Sequence, residues 1–386
     1  MPPQRTLPSV GVIAALLCTG GARADTIPAG DDPYKVAQRL AGAAAMRQGD
    51  LVLLSGSARD AQLLEQLAAQ VRGLGAHPVL KLDTERTSGR PRATSASATK
   101  PEGTVMAEII VEFGEKPAAL VDVPARRPGV PASASSSIER TFYSRSLRQV
   151  HLENDLYPTK SNAEIHGILQ SDLAKTFWEA VALDPAGFPF SARALRSALV
   201  AGKELRVRHT NGTDLKLRVD GRPVYASDGA ISRSDVTDGG GARSVWLPAG
   251  EVYLVPVPGS AEGTVVVDRQ VFQGKDIESL ALAYKAGKLT SMTAASGLEP
   301  LKAVYNAAGP GKDLLGVIDI GINPNVRGSR SLDVSPAGMV TLYLGNNLWA
   351  GGSNSASFGL GSRLLGSTVT LDGNAIVENG ALKGHP

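Results

Sequence analysis

A change of hydrophobic period part-way along the chain constrains its fold more than any other feature. In the first third, helical spacing alternates with short unbroken apolar runs; from about residue 204 the pattern becomes the two-residue alternation of strands. Val36, Leu40, Ala44 and Ala45 recur at helical spacing between Pro33 and Arg47, with Asp31 or Asp32 placed to cap. Leu51-Val52-Leu53-Leu54 follows as an apolar run suited to a strand covered on both faces. Ser57 to Gly73 returns to helical spacing through Leu63, Leu64, Leu67 and Val71, and Pro78 to Leu82 is the next strand. This β-α-β order predicts a parallel sheet. Val105 to Phe113 and Ala118 to Val123 are further strand candidates.

The next stretch, Ser144 to Ile168, reads as a linker running into a helix that carries His166. Thr176 to Ala182 and Ala192 to Leu199 have amphipathic helical spacing. Glu204 to His209 and Asp214 to Val219 alternate in polarity about Asn211-Gly212-Thr213, which predicts a hairpin. Gly263 to Val267, Lys288 to Thr290, Val340 to Leu344 and Thr368 to Leu371 read as strands, and Ile277 to Tyr284 as a short helical segment. At 386 residues the chain exceeds one ordinary core. The expected fold class is α/β: a parallel-sheet α/β domain over residues 25–140, then a β-rich mixed α+β domain over 141–386. Two stretches rich in Ser, Ala and Pro, Thr87 to Gly103 and Pro124 to Ser137, are expected to be loops.

Arg5, an apolar run from Val10 to Leu17, and Ala22-Arg23-Ala24 have the order of a secretory signal peptide, so residues 1–24 are expected to be removed on export to a periplasmic or extracellular space. The apolar run is too short to span a bilayer, and no transmembrane anchor is expected. Cys18 follows Leu16-Leu17 instead of the small residue a lipid-attachment site requires, which makes a lipid anchor there the minor reading. Cleavage after Ala24 would remove the chain's single cysteine, compatible with an oxidising compartment. It would also remove two arginines from a formal net charge of +3. A nearly neutral chain without a dense basic patch gives no reason to expect a nucleic-acid partner.

Other catalytic signatures are absent or out of context. Ser97-Ala98-Thr99-Lys100 has the spacing of a serine acyl enzyme but sits in a polar loop-like segment. Gly56-Ser57, between strand and helix, could cradle an anion, yet one glycine at such a turn is ordinary. Neither H-E-x-x-H nor G-x-S-x-G occurs. His166 has no second His or Cys and no carboxylate cluster at ligand spacing.

The chemistry is concentrated in three segments: Leu247-Pro248-Ala249-Gly250-Glu251-Val252, Leu314-Leu315-Gly316-Val317-Ile318-Asp319, and Gly338 through Asn354-Ser355-Ala356-Ser357-Phe358-Gly359-Leu360-Gly361 to Leu371-Asp372-Gly373. In order and spacing they resemble the metal-binding half of the thermophilic metalloprotease family of aminopeptidases. The resemblance implies a dinuclear site of about five carboxylate and imidazole ligands, filled by divalent zinc, cobalt or manganese. Such a site polarises a scissile carbonyl and supplies hydroxide near neutral pH. It also implies a homodimer, and a peptide or peptide-like ligand.

Carried over position by position, the family's first Glu matches Glu251. Its second Glu falls on Val317, its first His on Thr341, and its His-x-Asp pair on Gly359 and Gly361. Valine and glycine have no donor atom, and a threonine hydroxyl is a poor substitute for imidazole. The leading expectation is an exported, catalytically degenerate homologue, without a cofactor, in a binding or structural role. The alternative is an active metal-dependent aminopeptidase with a site rebuilt around Glu251. Asp319, two residues after Val317 on the same side of a strand, is then the substitute ligand; Glu262, Asp333 and Asp372 read as solvated or turn carboxylates.

Overall fold

The computed structural model describes residues 33–57, 60–83, 105–111, 147–152, 157–158, 160, 163, 168–181, 189–273, 275–324, 326 and 336–383. Among these, the strands form three sheets, two of which share one core.

The first sheet is the parallel one the N-terminal pattern predicts. α1 (Pro33–Ala43), β1 (Leu51–Ser57), α2 (Ala61–Gly73), β2 (His77–Asp83) and β3 (Val105–Val111) follow in the expected order. The strand order is β2-β1-β3-β4-β8, where β4 is Arg148–Leu152 and β8 is Ser244–Trp246, and every pairing is parallel. Leu40, Leu63, Leu64, Leu67, Val71, Val52, Leu54 and Ile109 are buried in its core, joined by Phe177 and Trp178 of α3 (Gln170–Val181).

β4 corrects the expectation of a linker over this segment. All five of its residues are buried, and Arg148 is held by Asp50 (Nη2 to Oδ2, 2.5 Å) and by the Ala45 carbonyl (2.6 Å). A buried arginine is tolerable because its charge is paired and hydrogen-bonded. His166 and the segments 87–103, 118–123 and 124–137 lie outside the described residues, as do residues 1–24.

After α4 (Pro189–Ala201) the chain is mainly antiparallel. β5 (Glu204–Arg208) and β6 (Asp214–Arg218) form the predicted hairpin, with Leu205, Val207, Leu215 and Leu217 inward and charged residues outward. Gly212, at φ +100, makes the turn, and Asn211 Oδ1 accepts from Thr213 N at 3.1 Å. They belong to an eight-stranded sheet ordered β12-β11-β10-β6-β5-β16-β17-β18. Its other strands are β10 (Glu262–Phe272), β11 (Lys275–Lys285), β12 (Lys288–Thr293), β16 (Thr368–Leu371), β17 (Asn374–Glu378) and β18 (Ala381–Leu382).

β11 covers Ile277–Tyr284, where a helical segment was expected. Ser279 adopts φ +52 and interrupts the alternation, so the buried residues are Ile277, Leu280, Leu282 and Tyr284. The first step of three residues imitates a helix.

The third sheet has the order β15-β14-β13-β9-β7, all antiparallel. Its strands are β7 (Val224–Ser227), β9 (Glu251–Leu254), β13 (Leu315–Gly321), β14 (Val340–Gly345) and β15 (Gly359–Leu364). One face, with Val252, Leu254, Ile318, Ile320, Leu342, Leu344, Leu360 and Leu364, packs into a core shared with Leu205, Val207, Leu215, Val265, Leu280 and Val369 of the eight-stranded sheet. At roughly 1.5–3 kcal/mol for each large apolar side chain, this layer contributes much of the stabilisation of the second half.

Candidate functional site

Strand alternation and register bring every sequence-matched ligand position onto the other face of the third sheet. Asp319 pairs with Tyr253 on one side and Thr341 on the other. Thr341 pairs onward with Arg363, and Tyr253 with Tyr225. One row across all five strands therefore reads Tyr225, Tyr253, Asp319, Thr341, Arg363, and cross-strand partners share a face. The row to one side holds Ser227, Glu251 and Gly321; the row to the other holds Val317, Tyr343 and Gly361. Gly359 lies one step further along β15, opposite Gly345.

Glu251, Val317, Thr341, Gly359 and Gly361 thus converge on one surface although 110 residues separate the first from the last. Their side chains supply one carboxylate where a dinuclear centre needs about five donors. Asp319 adds a second, deeply buried at 1% exposure and diagonal to Glu251 on the neighbouring strand. Among the described residues no three His, Cys, Asp or Glu side chains come together as a group able to hold a metal ion. The donor set does not fit the dinuclear centre that the family resemblance implies. Asp372 and Glu262 have turn roles: Asp372 accepts from the backbone N–H of Lys203 and Glu204, and Glu262 from that of Ala286 at 2.7 Å. Asp333 lies outside the described residues.

Aromatic rings fill the space instead. A side chain at Gly361 would begin 3.0 Å from Cε1 of Tyr343, so the Tyr343 ring lies directly over this ligand position. After β14 a short 3-10 turn, Leu348–Ala350, carries Trp349 over the same face. Its ring meets Tyr343 edge-on at 5.1 Å and Tyr253 tilted at 5.4 Å, and Tyr253 meets Tyr225 at 5.7 Å. These four aromatics form one cluster with Val317, Ala350, Val255 and Ala242.

The 3-10 turn is fixed by its flanks. Asn347 Nδ2 donates to the Gly316 carbonyl, and Asn354 Nδ2 donates to the carbonyls of Gly311 (2.8 Å) and Gly345 (2.7 Å). Gly351, at φ +75, lets the chain leave the turn against the Tyr225 ring. Thr341 is completely buried, and its hydroxyl has no hydrogen-bond partner among the described residues.

Two ionisable side chains near this face escaped the sequence reading. Asp228 follows Ser227, the residue opposite Glu251; burial pushes its carboxyl above the usual range, while Ala230 N donates to it at 3.3 Å. His151 of β4 stacks on Trp246 of β8 with centroids 3.9 Å apart and planes 10° from parallel. From Trp246 the chain runs through Leu247–Gly250 directly to Glu251, so the end of the parallel sheet abuts the start of β9. Only the position of a histidine within the apolar triplet Val150-His151-Leu152 hinted at this. Burial, with Asp238 nearby, raises the Tyr225 phenol above its ordinary value, so it stays protonated at neutral pH.

The family model described as thermophilic metalloprotease (M29) matches residues 192–316. Of the five ligand positions only Glu251 falls inside that span, and Val317 is the first residue after it. Wild-type AmpT from Thermus thermophilus, a thermophilic aminopeptidase, superposes with a TM-score of 0.64 at 18% identity, covering 91% of this chain and 98% of that one. A 2,5-dihydroxypyridine dioxygenase from Pseudomonas putida KT2440 gives a TM-score of 0.59 at 15% identity, over 92% and 99% of the two chains. A search of curated proteins gives no match. At these identities the structural matches establish the fold alone, and the two names show that this fold hosts different chemistries. Over residues 192–316 the chain is similar to the thermophilic metalloproteases, and over nearly its whole length it has the α/β fold of the aminopeptidase AmpT.

Proposed function

We propose that this chain is an exported, catalytically degenerate relative of the metallo-aminopeptidases that acts by binding a peptide or peptide-like ligand, or as a structural component, without releasing N-terminal residues. The observation that carries the reading is the face of the third sheet, where Val317, Thr341, Gly359 and Gly361 stand at ligand positions and Tyr343 packs over Gly361. Loss of even an outer-shell partner of a metal ligand costs about 10–100-fold in affinity. Replacing four direct ligands leaves the carboxylates of Glu251 and Asp319, too few to hold two ions. Export is supported by the signal-like order of residues 1–24, and a homodimer by the family resemblance. Among the described residues, no helix is long and apolar enough to cross a membrane.

The competing reading, an active aminopeptidase rebuilt around Glu251, draws on Asp319 sharing a face with it. An assay on unblocked peptides with zinc, cobalt or manganese separates the two. The degenerate reading predicts no release of N-terminal residues above the metal-only background. Release that disappears in Glu251→Gln would establish the rebuilt site.

A further inference from the structure

Two buried polar groups on the mixed face of the third sheet have no hydrogen-bond partner among the described residues: the Thr341 hydroxyl and the Trp349 indole N–H. Proteins seldom leave such groups unpaired, because each gives up its bond to water on folding. Thr341 is completely buried. Trp349 is partly exposed, yet its N–H is sealed from solvent.

The ring contacts and the register together locate the indole. It meets Tyr253 of β9 and Tyr343 of β14, the two strands that flank β13. The ring therefore crosses above β13, where it clusters with Val317. Thr341 borders this spot, two residues before Tyr343 on the same side of β14.

We propose that the Trp349 side chain is a displaceable cover over a ligand pocket floored by Val317 and Thr341, swung outward by an incoming peptide group. The backbone of the turn stays in place, because Asn347 and Asn354 tie it to the carbonyls of Gly316, Gly311 and Gly345. The motion is confined to the two side-chain torsions of the tryptophan. Ring contacts at 5.1 and 5.4 Å hold the closed position, and the unpaired N–H opposes it, since swinging out returns that group to water. Opening also frees the Thr341 hydroxyl, which donates and accepts and so suits either half of an amide. Asp319 beside Thr341, with Glu251 diagonal to it, gives the pocket a negative border that favours a ligand carrying a free amine. This inference rests on the reading that the face binds a peptide-like ligand.

The test uses the full chain and the unblocked tripeptide Ala-Ala-Ala. The chain has three tryptophans, so fluorotryptophan labelling gives three fluorine-NMR signals, and the one lost in Trp349→Phe is the cover. The tripeptide should shift that signal and leave the other two in place. By calorimetric titration Trp349→Ala should bind the tripeptide about tenfold more tightly than wild type, because the ring no longer competes for the pocket. Thr341→Val keeps the shape of the side chain, so it should not lower the melting temperature, but it should weaken binding in the Trp349→Ala background by about fivefold. Binding by Trp349→Ala no tighter than by wild type would make the ring a wall of the site, overturning the cover and leaving the peptide-binding reading intact. Absence of binding by both proteins would overturn both. A melting temperature several degrees lower in Thr341→Val would show that the hydroxyl is paired in the closed protein, and would also overturn the cover. If Trp349→Ala does not fold, Trp349→Phe should bind about threefold more tightly than wild type, and weaker binding would overturn the proposal.

Discussion

The two faces of the third sheet are built from alternate residues of the same five strands, yet they carry different information. On one face Val252, Leu254, Ile318, Ile320, Leu342, Leu344 and Leu360 are aliphatic and continue into the main core. On the other, Tyr225, Tyr253, Asp319, Thr341, Tyr343, Gly361 and Arg363 form a mixed surface closed by Trp349. The first face fixes strand register, because slipping by one residue would exchange the faces. The second could therefore hold catalytic ligands or lose them with the backbone unchanged. That division explains how a chain 18% identical to AmpT keeps its fold while the second face carries residues as different as Glu251, Val317, Thr341 and Gly361 at neighbouring positions.

The sharpest way to break this comparison is to truncate each face in turn. Leu342→Ala, on the aliphatic face, should cost about 3 kcal/mol by denaturant unfolding, since it leaves a cavity in a layer with no room to relax. Trp349→Ala should cost less, about 2 kcal/mol, because the ring is partly exposed and its role is to bridge Tyr253 and Tyr343. A larger loss at Trp349 than at Leu342 would invert the assignment of which face holds the fold.

Adding a side chain at Gly361 probes the ring cluster more finely. Gly361→Ala should destabilise by about 1 kcal/mol, because its methyl would meet the Tyr343 ring at 3.0 Å. In a Tyr343→Ala background that penalty should vanish. If it persists there, something other than the ring occupies the space.

The smallest effect is expected away from both faces. Asp214 accepts two hydrogen bonds from the half-buried Arg206, and this bonding holds its carboxyl below the usual range. A depressed folded-state pKa contributes stability that is present above the unfolded value, about 4, and lost as pH falls through the folded one. Arg206→Ala should thus differ from wild type only slightly at neutral pH, in a salt-dependent way, and the difference should close in acid. A pH-independent difference would mean that the arginine acts through packing instead.

Much of the architecture was legible from local pattern. Leu63, Leu64, Leu67 and Val71 marked α2, the alternation around Asn211-Gly212 marked the β5–β6 hairpin, and Thr368–Leu371 formed a strand with the expected bounds. The failures have physical reasons. β4 was hidden because Arg148, Gln149 and His151 look solvated until Asp50, 98 residues away, supplies a buried partner for the arginine. β11 was hidden because positive φ at Ser279 turns a two-residue step into three.

At the site, the sequence proposed five ligand positions but gave no sign of what surrounds them. That Tyr343 covers Gly361, and that Asp319 and Arg363 share a row, follow from strand register, which no single segment encodes.

The most direct test of the central claim is elemental metal analysis of the purified chain after dialysis against zinc, cobalt or manganese and removal of free ions. A fold kept without its dinuclear centre predicts no stoichiometric metal. Two tightly held ions per chain would contradict it.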